Sequence, residues 1–188
     1  MKIICYGDSN TYGYDGDEMF GGRFPEGRRW SELLGKMLGC ECVNCGLNGR
    51  RVPRFQRSVE ADVTWLRRFG DGTAVIVMLG TNDILAEAEP EDVAEHMRRF
   101  LEALHRAMPQ SPVLLVAPPP VAEPGEEYAP CFEALAASYE RVAEELGAAF
   151  VDTAPWQIPM GGDGVHFSER GHRLFALKMG QTLLKLMR

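Results

Sequence analysis

The chain has 188 residues, 45% of them hydrophobic and 25% charged, which is typical of a single globular domain over residues 1–188. The 20 Lys and Arg against 27 Asp and Glu give a formal net charge of -7, and no long basic run follows, so we expect no nucleic-acid partner. The apolar N-terminal segment is too short for a signal peptide and no window could span a membrane, so we expect a cytoplasmic protein without membrane contact.

The five cysteines are an odd number in a chain without an export signal, so we expect reduced thiols rather than disulfides. Cys40, Cys42 and Cys45 lie close together in CECVNC, which raises a zinc site as an alternative. A structural zinc site uses four ligands, usually in spaced pairs, and neither Cys5 nor Cys131 has a partner at such a spacing. We therefore expect small buried side chains on and beside a strand, and no metal or other cofactor.

Five short apolar or β-branched runs alternate with longer segments that have helical spacing. The predicted strands cover residues 2–6, 40–44, 74–79, 112–117 and 148–152. The predicted helices begin at Arg28, Ser58, Pro90, Cys131 and Ser168. In the third helix, apolar residues three or four positions apart form a stripe that we assign to the core: Ala94, Met97, Leu101, Leu104 and Met108.

This alternation predicts an α/β fold with a five-stranded parallel sheet. Most of the strand runs lack polar alternation, which indicates strands covered on both faces by helices, and right-handed crossovers would join them. Parallel sheets bind ligands at the carboxyl ends of their strands. The segments that follow these strands contain Ser9, Gly46, GTND at 80–83 and GGDGVHF at 161–167, so we expect all four at one edge of the sheet.

Ser9, His166 and Asp163 are candidates for a nucleophile, a base and an orienting carboxylate. A serine hydroxyl becomes nucleophilic when a neutral imidazole takes its proton and a third group fixes the tautomer of the ring. Asp163 and His166 are three residues apart in a Gly-containing turn, which lets the carboxylate reach one ring nitrogen. Taken singly, the serine also suits a helix cap and the aspartate a turn. The other histidines lie in predicted helices, and we assign them structural roles: His96, His105 and His172.

Acyl transfer also requires hydrogen-bond donors aimed at the oxyanion of the tetrahedral intermediate. The candidates are the backbone N–H groups of Ser9 and Gly46 and the side-chain amide of Asn82. Glycine suits this role because it lets the main chain approach the substrate closely.

Four segments resemble the four blocks of the SGNH, or GDSL-type, hydrolase family. They are GDSNTYG with Ser9, NCGLNGRR with Gly46, GTND with Asn82, and DGVHFSERGH with Asp163 and His166. The segments occur in the family's order and spread over nearly the whole chain. GDSNTYGYD, followed by RW at 29–30 and APPP at 117–120, is similar to the arylesterase-like branch of the family.

The resemblance implies a flavodoxin-like three-layer sandwich and metal-free ester hydrolysis through an acyl-enzyme, with the five residues in the roles given above. It implies small-molecule esters with short acyl groups as substrates, and transfer of the acyl group to alcohols occurs in some members. The alternatives within the same fold are a carbohydrate acetylesterase and a thioesterase. The resemblance is also compatible with a homo-oligomer.

Three interpretations from other classes compete with the esterase. GDSNTYG lacks both the Gly-Lys-Ser/Thr ending of a Walker loop and the dinucleotide fingerprint, which argues against phosphate binding. A metal hydrolase could use oxygen and nitrogen ligands at this edge, although two of the aspartates also suit turns or hydrogen-bond anchors; the candidates are Asp8, Asp83, Asp163 and His166. The third is a ligand-binding module that has kept the fold but lost turnover.

Several residues near the proposed edge are candidates for contacts with the substrate. The predicted substrate-binding residues are Asp8, Tyr12, Trp156, Ile158 and Phe167. Four further apolar side chains could contribute, of which Trp30 is the one we most expect in the core; these are Phe20, Phe24, Trp30 and Met160. The Gly- and Pro-rich stretches at 13–27 and 118–130 are expected to form long loops that wall the pocket.

Overall fold

The computed structural model describes residues 2–18, 20–122 and 125–186, and it has seven strands within them. These are β1 (Lys2–Gly7), β2 (Tyr14–Asp15), β3 (Gly22–Arg23), β4 (Glu41–Gly46), β5 (Ala74–Met78), β6 (Val113–Ala117) and β7 (Ala149–Asp152). Five of them form one parallel sheet in the order β4-β1-β5-β6-β7, and β2 pairs with β3 in a small antiparallel hairpin. This order is the flavodoxin-like arrangement, so the predicted fold class is confirmed.

The helices of the described residues lie between the strands, as the alternation predicted. They are α1 (Ser9–Tyr12), α2 (Trp30–Leu38), α3 (Gln56–Leu66), α4 (Thr81–Ile84), α5 (Pro90–Ala107), α6 (Ala129–Leu146) and α7 (Glu169–Leu186). Short 3-10 segments cover Arg67–Phe69, Glu126–Tyr128 and Ala154–Trp156. None of the helices in the described ranges is long and apolar enough to span a bilayer. The five long helices were predicted, whereas α1, α4 and the β2–β3 hairpin were not.

The sheet lies between two helical layers because its strand residues alternate between two apolar cores. Ile4 and Tyr6 of β1 face the core shared with α3, α5 and α6, while Ile3 and Cys5 face the core shared with α2 and α7. The apolar stripe of α5 is buried against the first core, as predicted. Pro90 begins this helix, where its missing N–H has no helical partner to lose.

The junction of β1 and α1 holds Ser9 in place. Gly7 ends the strand, and a Cβ there would lie 2.1 Å from Thr11 Oγ1 and 2.9 Å from the Met78 carbonyl oxygen, so only glycine fits. Asp8 then caps α1, because its Oδ1 accepts the N–H of Asn10 at 2.9 Å. Ser9 therefore stands at the first position of a short helix at the carboxyl end of β1, an interior strand of the sheet.

The fit of Gly7 is tested by Gly7→Ala. The added methyl group overlaps rigid neighbours on both sides, so we expect a loss of about 1–3 kcal/mol in the free energy of unfolding, measured by urea denaturation. The control is Gly180→Ala in α7, where the nearest atom is the flexible end of Met37 at 3.3 Å. Wild-type stability in Gly7→Ala contradicts this account of the junction.

Asp8 gives a second test, through pH. Burial raises the pKa of Asp8 from its ordinary 3.8 to about 6, against the opposing hydrogen bond from the Asn10 N–H. The folded protein therefore keeps a proton that the unfolded chain has lost, so the folded state loses stability as pH rises from about 4 to about 6. Asp8→Asn removes this cost. We expect its stability relative to wild type to increase between pH 4 and pH 8 by up to about 3 kcal/mol. An equal difference at both pH values contradicts the assignment.

Candidate active site

Asp163 and His166 lie in one turn that precedes α7, and three hydrogen bonds fix the carboxylate. Asp163 Oδ1 accepts the backbone N–H groups of Val165 and His166, each at 2.9 Å, and Oδ2 is 2.6 Å from His166 Nδ1. Partial burial acts to raise the pKa of Asp163, but the hydrogen bonds from His166 and Val165 outweigh it and lower the pKa below its ordinary value. The carboxylate is thus held ionised beside the ring.

The other ring nitrogen of His166 faces the serine hydroxyl. His166 Nε2 is 2.9 Å from Ser9 Oγ, across 157 positions of sequence. If Nδ1 carries the proton that is shared with Asp163, Nε2 is left as an acceptor for the Ser9 hydroxyl. The structure brings together the three side chains that the sequence singled out, in the order hydroxyl, imidazole, carboxylate.

Asn10 is a residue that the sequence analysis missed. Its side chain is buried and bonds to the backbone on either side of His166: Nδ2 donates to the Val165 carbonyl at 3.1 Å, and Oδ1 accepts the Phe167 N–H at 2.8 Å. The only available signal was its position next to Ser9, which does not reveal a partner more than 150 residues away.

Gly46 does not match its predicted role as an oxyanion donor. Its N–H donates to Asn44 Oδ1 at 3.1 Å, so this donor already has an acceptor. A Cβ at Gly46 would lie 2.0 Å from the Tyr12 backbone nitrogen. The glycine is therefore needed for the packing of β4 against α1, and the prediction for Gly46 is corrected on these grounds.

The loop that follows Gly46 contains a second glycine with different properties. The Arg50 N–H donates to the Leu47 carbonyl at 3.1 Å, which closes a turn with Gly49 at a φ of 70°. Gly49 is exposed, and its N–H has no acceptor among the described residues. The Leu47 N–H donates to the Gly7 carbonyl at 3.1 Å, which ties the start of the loop to the strand before Ser9.

Asn82 and Arg50 tie the end of this loop to the sheet. Asn82 Nδ2 donates to the Arg50 carbonyl at 3.0 Å, which leaves the second hydrogen of the amide without a partner in the described part of the chain. The Arg50 guanidinium donates to the carbonyls of Gly7 at 2.8 Å and Cys45 at 2.5 Å, and it lies 4.3 Å from the centroid of the Tyr6 ring. One side chain thus joins the carboxyl ends of two strands to the loop of Gly49.

The predicted substrate-binding residues divide between the core and the surface. Ile158 and Phe167 are only 7% and 1% exposed, and their side chains pack in the core beneath α2 and α7. Trp156 packs against the same core with its ring 5.3 Å from Phe175. Trp30 is fully buried, as expected.

Asp8 and Tyr12 also have other contacts. Asp8 is 1% exposed and caps α1, so it does not present a carboxylate to a substrate. Tyr12 is half-buried, and its ring lies 4.1 Å from the Arg23 guanidinium carbon. Tyr14 was not predicted, yet its ring centroid is 4.5 Å from that of His166.

The residues of the alternative metal site have separate partners. Asp83 is buried and accepts the Val52 N–H at 3.1 Å and Arg54 at 3.3 Å, while burial raises its pKa. Across residues 2–18, 20–122 and 125–186, no three or more His, Cys, Asp or Glu side chains are grouped to hold a metal ion. The buried His172 accepts the Trp30 N–H at 3.3 Å, and burial lowers its pKa to about 3.

Comparisons with known proteins identify relatives of this chain. A family model described as the GDSL-like Lipase/Acylhydrolase family matches residues 5–174. A GDSL lipase of Mycobacterium tuberculosis is 30% identical over 192 residues, which cover 96% of this chain and 80% of that protein.

Two solved structures are similar over nearly their whole length. The aryl esterase of M. smegmatis has a TM-score of 0.79 and 27% identity, with 98% of this chain and 99% of that chain covered. A carbohydrate acetylesterase family member from Sinorhizobium meliloti has a TM-score of 0.80 and 25% identity, with 98% of each chain covered. With the family match over residues 5–174, these similarities identify the chain as a member of the GDSL-like lipase/acylhydrolase family and an SGNH-type hydrolase.

Proposed function

We propose that this enzyme hydrolyses short-chain carboxylic esters through an acyl-enzyme formed on Ser9. The observation that carries the proposal is the continuous chain of contacts from Ser9 Oγ to His166 Nε2 at 2.9 Å and from His166 Nδ1 to Asp163 Oδ2 at 2.6 Å. Such a chain removes the proton of a hydroxyl as the hydroxyl attacks a carbonyl carbon.

The reaction has two halves that use the same three side chains. In the first half, Ser9 Oγ bonds to the carbonyl carbon, His166 Nε2 takes the hydroxyl proton, and the ionised Asp163 stabilises the resulting imidazolium. The tetrahedral intermediate collapses when the bond to the alcohol oxygen breaks, and His166 returns the proton to the departing alcohol. In the second half, His166 takes a proton from water as the water oxygen attacks the acyl carbon. The bond between that carbon and Ser9 Oγ then breaks, His166 returns the proton to Oγ, and the acid leaves.

We assign three donors to the oxyanion: the Ser9 N–H, the side-chain amide of Asn82 and the Gly49 N–H. The Gly49 N–H takes the place of the Gly46 N–H. The first residue of a helix has no internal acceptor for its N–H, and Asn82 retains one uncommitted hydrogen. Gly49 lies between two loop contacts, the Leu47 bond to Gly7 and the Arg50 bond to Asn82. These bonds support the presence of the Gly49 N–H at the same edge as Ser9.

The burial pattern favours a small acyl group. Ser9 itself is only 6% exposed, and the apolar side chains of Ile158 and Phe167 are used by the core instead of lining a deep pocket. These residues therefore form no apolar channel for a long acyl chain. We expect acetyl and propionyl esters to react faster than long-chain esters.

A second candidate is an acetylated sugar as the natural substrate. It is favoured by the similarity in fold to the carbohydrate acetylesterase family member from S. meliloti. A panel of aryl acetates and acetylated sugars in water separates the two, because each predicts the larger kcat/KM for its own class. Adding an alcohol to the same panel measures transfer against hydrolysis.

The nucleophile is tested by Ser9→Ala. We expect kcat for p-nitrophenyl acetate to fall by at least about a thousandfold, because loss of the nucleophile removes the acyl-enzyme route. Activity of the wild type should persist with chelator present, and a serine-directed phosphonate should add its mass at Ser9.

The matched control is Ser58→Ala, which removes a hydroxyl that bonds to the backbone of Phe55 at the start of α3. We expect its kcat to equal that of wild type. Wild-type kcat in Ser9→Ala, or loss of wild-type activity on chelation, would refute the serine mechanism.

The oxyanion loop is tested by Arg50→Met, with Arg51→Met as the control because Arg51 is an exposed neighbour. The guanidinium of Arg50 holds the carbonyls of Gly7 and Cys45, so its loss frees the loop that carries Gly49. We expect kcat to fall about tenfold to a hundredfold in Arg50→Met with little change in KM. Equal kcat values in the two variants would show that Arg50 does not support the oxyanion site.

A further inference from the structure

The turn that carries Asp163 and His166 has little regular structure of its own. It is closed by an isolated bridge between Met160 and Phe167 and by the Gly161 N–H, which donates to the His166 carbonyl at 2.7 Å. The hydrogen bonds within the turn do not reach Ser9, so the 2.9 Å contact between Ser9 and His166 also depends on contacts between the turn and other parts of the protein.

Asn10 makes the first set of contacts that hold this turn. Its amide bonds to the residues on both sides of His166, at Val165 and Phe167, and the side chain is only 4% exposed. Because Asn10 directly follows Ser9 in α1, these two bonds tie the backbone of the base to the backbone of the nucleophile.

Tyr14, which begins the β2–β3 hairpin, makes the second contact with the turn. Its ring lies against the imidazole of His166, with centroids 4.5 Å apart and an angle of 51° between the planes. The imidazole becomes a cation when it takes the serine proton, and an aromatic ring beside a cation is favourable. Tyr14 thus packs against the ring in the state that the reaction creates.

Gly16 and Asp17, which follow in the hairpin, make the third set of contacts with the turn. The Asp17 carboxylate accepts the Gly162 N–H at 2.7 Å. A Cβ on Gly16 would lie 2.2 Å from Asp163 Oδ2, so the bare backbone of the hairpin packs directly on the carboxylate that orients the imidazole. Glycine at this position is required for space rather than for a left-handed φ.

We infer that the segment from Asn10 to Asp17 is a clamp that positions His166 and Asp163 relative to Ser9, with Asn10 and Tyr14 as its principal positioning residues. The inference rests on the proposed esterase function. In one continuous stretch, the protein holds its nucleophile and the contacts that align a base from the other end of the chain.

The experiment compares Asn10→Ala and Tyr14→Leu with Tyr14→Phe. We expect kcat for p-nitrophenyl acetate to fall about tenfold to a hundredfold in the first two variants with KM within about twofold, because small displacements of a base cost rate rather than binding. The rate of phosphonate labelling of Ser9 should fall in parallel. Tyr14→Phe keeps the ring and should retain kcat near wild type.

A spectroscopic signature that does not need turnover separates this inference from the proposed function. The proton between His166 Nδ1 and Asp163 should give a downfield proton resonance in wild type and Tyr14→Phe, and it should move or broaden in Asn10→Ala and Tyr14→Leu. If Asn10→Ala does not fold, Tyr14→Leu carries the test, because Tyr14 is only half-buried.

Three outcomes overturn the clamp: wild-type kcat and an unchanged resonance in both variants, a raised KM with unchanged kcat, or an equal loss in Tyr14→Phe. The second outcome makes the residues substrate contacts, and the third makes the Tyr14 hydroxyl the important group. A wild-type protein that shows the resonance and its shifts but hydrolyses no ester overturns the proposed function and leaves the clamp standing.

Discussion

The contact between Ser9 Oγ and His166 Nε2 is the constraint on which the rest of this protein depends. It joins two residues that are 157 positions apart in sequence, with the two atoms 2.9 Å apart. Most of the chain must therefore fold before this contact can form. The sheet order meets this demand by placing β1 inside the sheet, beside both β4 and β5. The segments that follow β1, β4 and β5 carry Ser9, Gly49 and Asn82, and α7 follows the turn of His166.

Several buried polar side chains at this edge of the sheet have specific hydrogen-bond partners. Asp8 caps α1, Asn10 holds the turn of His166, and Asp83 accepts from Val52 and Arg54. Burying a polar group without a partner costs free energy, so these bonds are needed simply to keep the edge folded. The raised pKa of Asp8, about 6, shows that the partners do not fully offset the burial of its charge. The protein therefore loses some stability at the edge that holds the proposed active site.

The regular elements and the irregular ones differ in how far their sequence patterns predict them. Apolar runs and the stripe of α5 have a period that repeats over many residues, so the five sheet strands and the long helices could be predicted within a few positions. A helix of four residues such as α1, or a hairpin of two-residue strands, is too short to show a period. Their formation depends on contacts with distant turns, among them Asp17 with Gly162.

The sequence by itself determined the chemical groups and their order: a serine after the first strand, an amide after the third, and an aspartate and a histidine three residues apart. Only the tertiary structure decided which of the two glycines in NCGLNGRR is free to donate, because that depends on whether an acceptor already lies within reach. It also decided that Ile158 and Phe167 serve the core. A local sequence pattern encodes which side chains face inward, whereas the groups that those side chains contact are set by the packing of the whole chain.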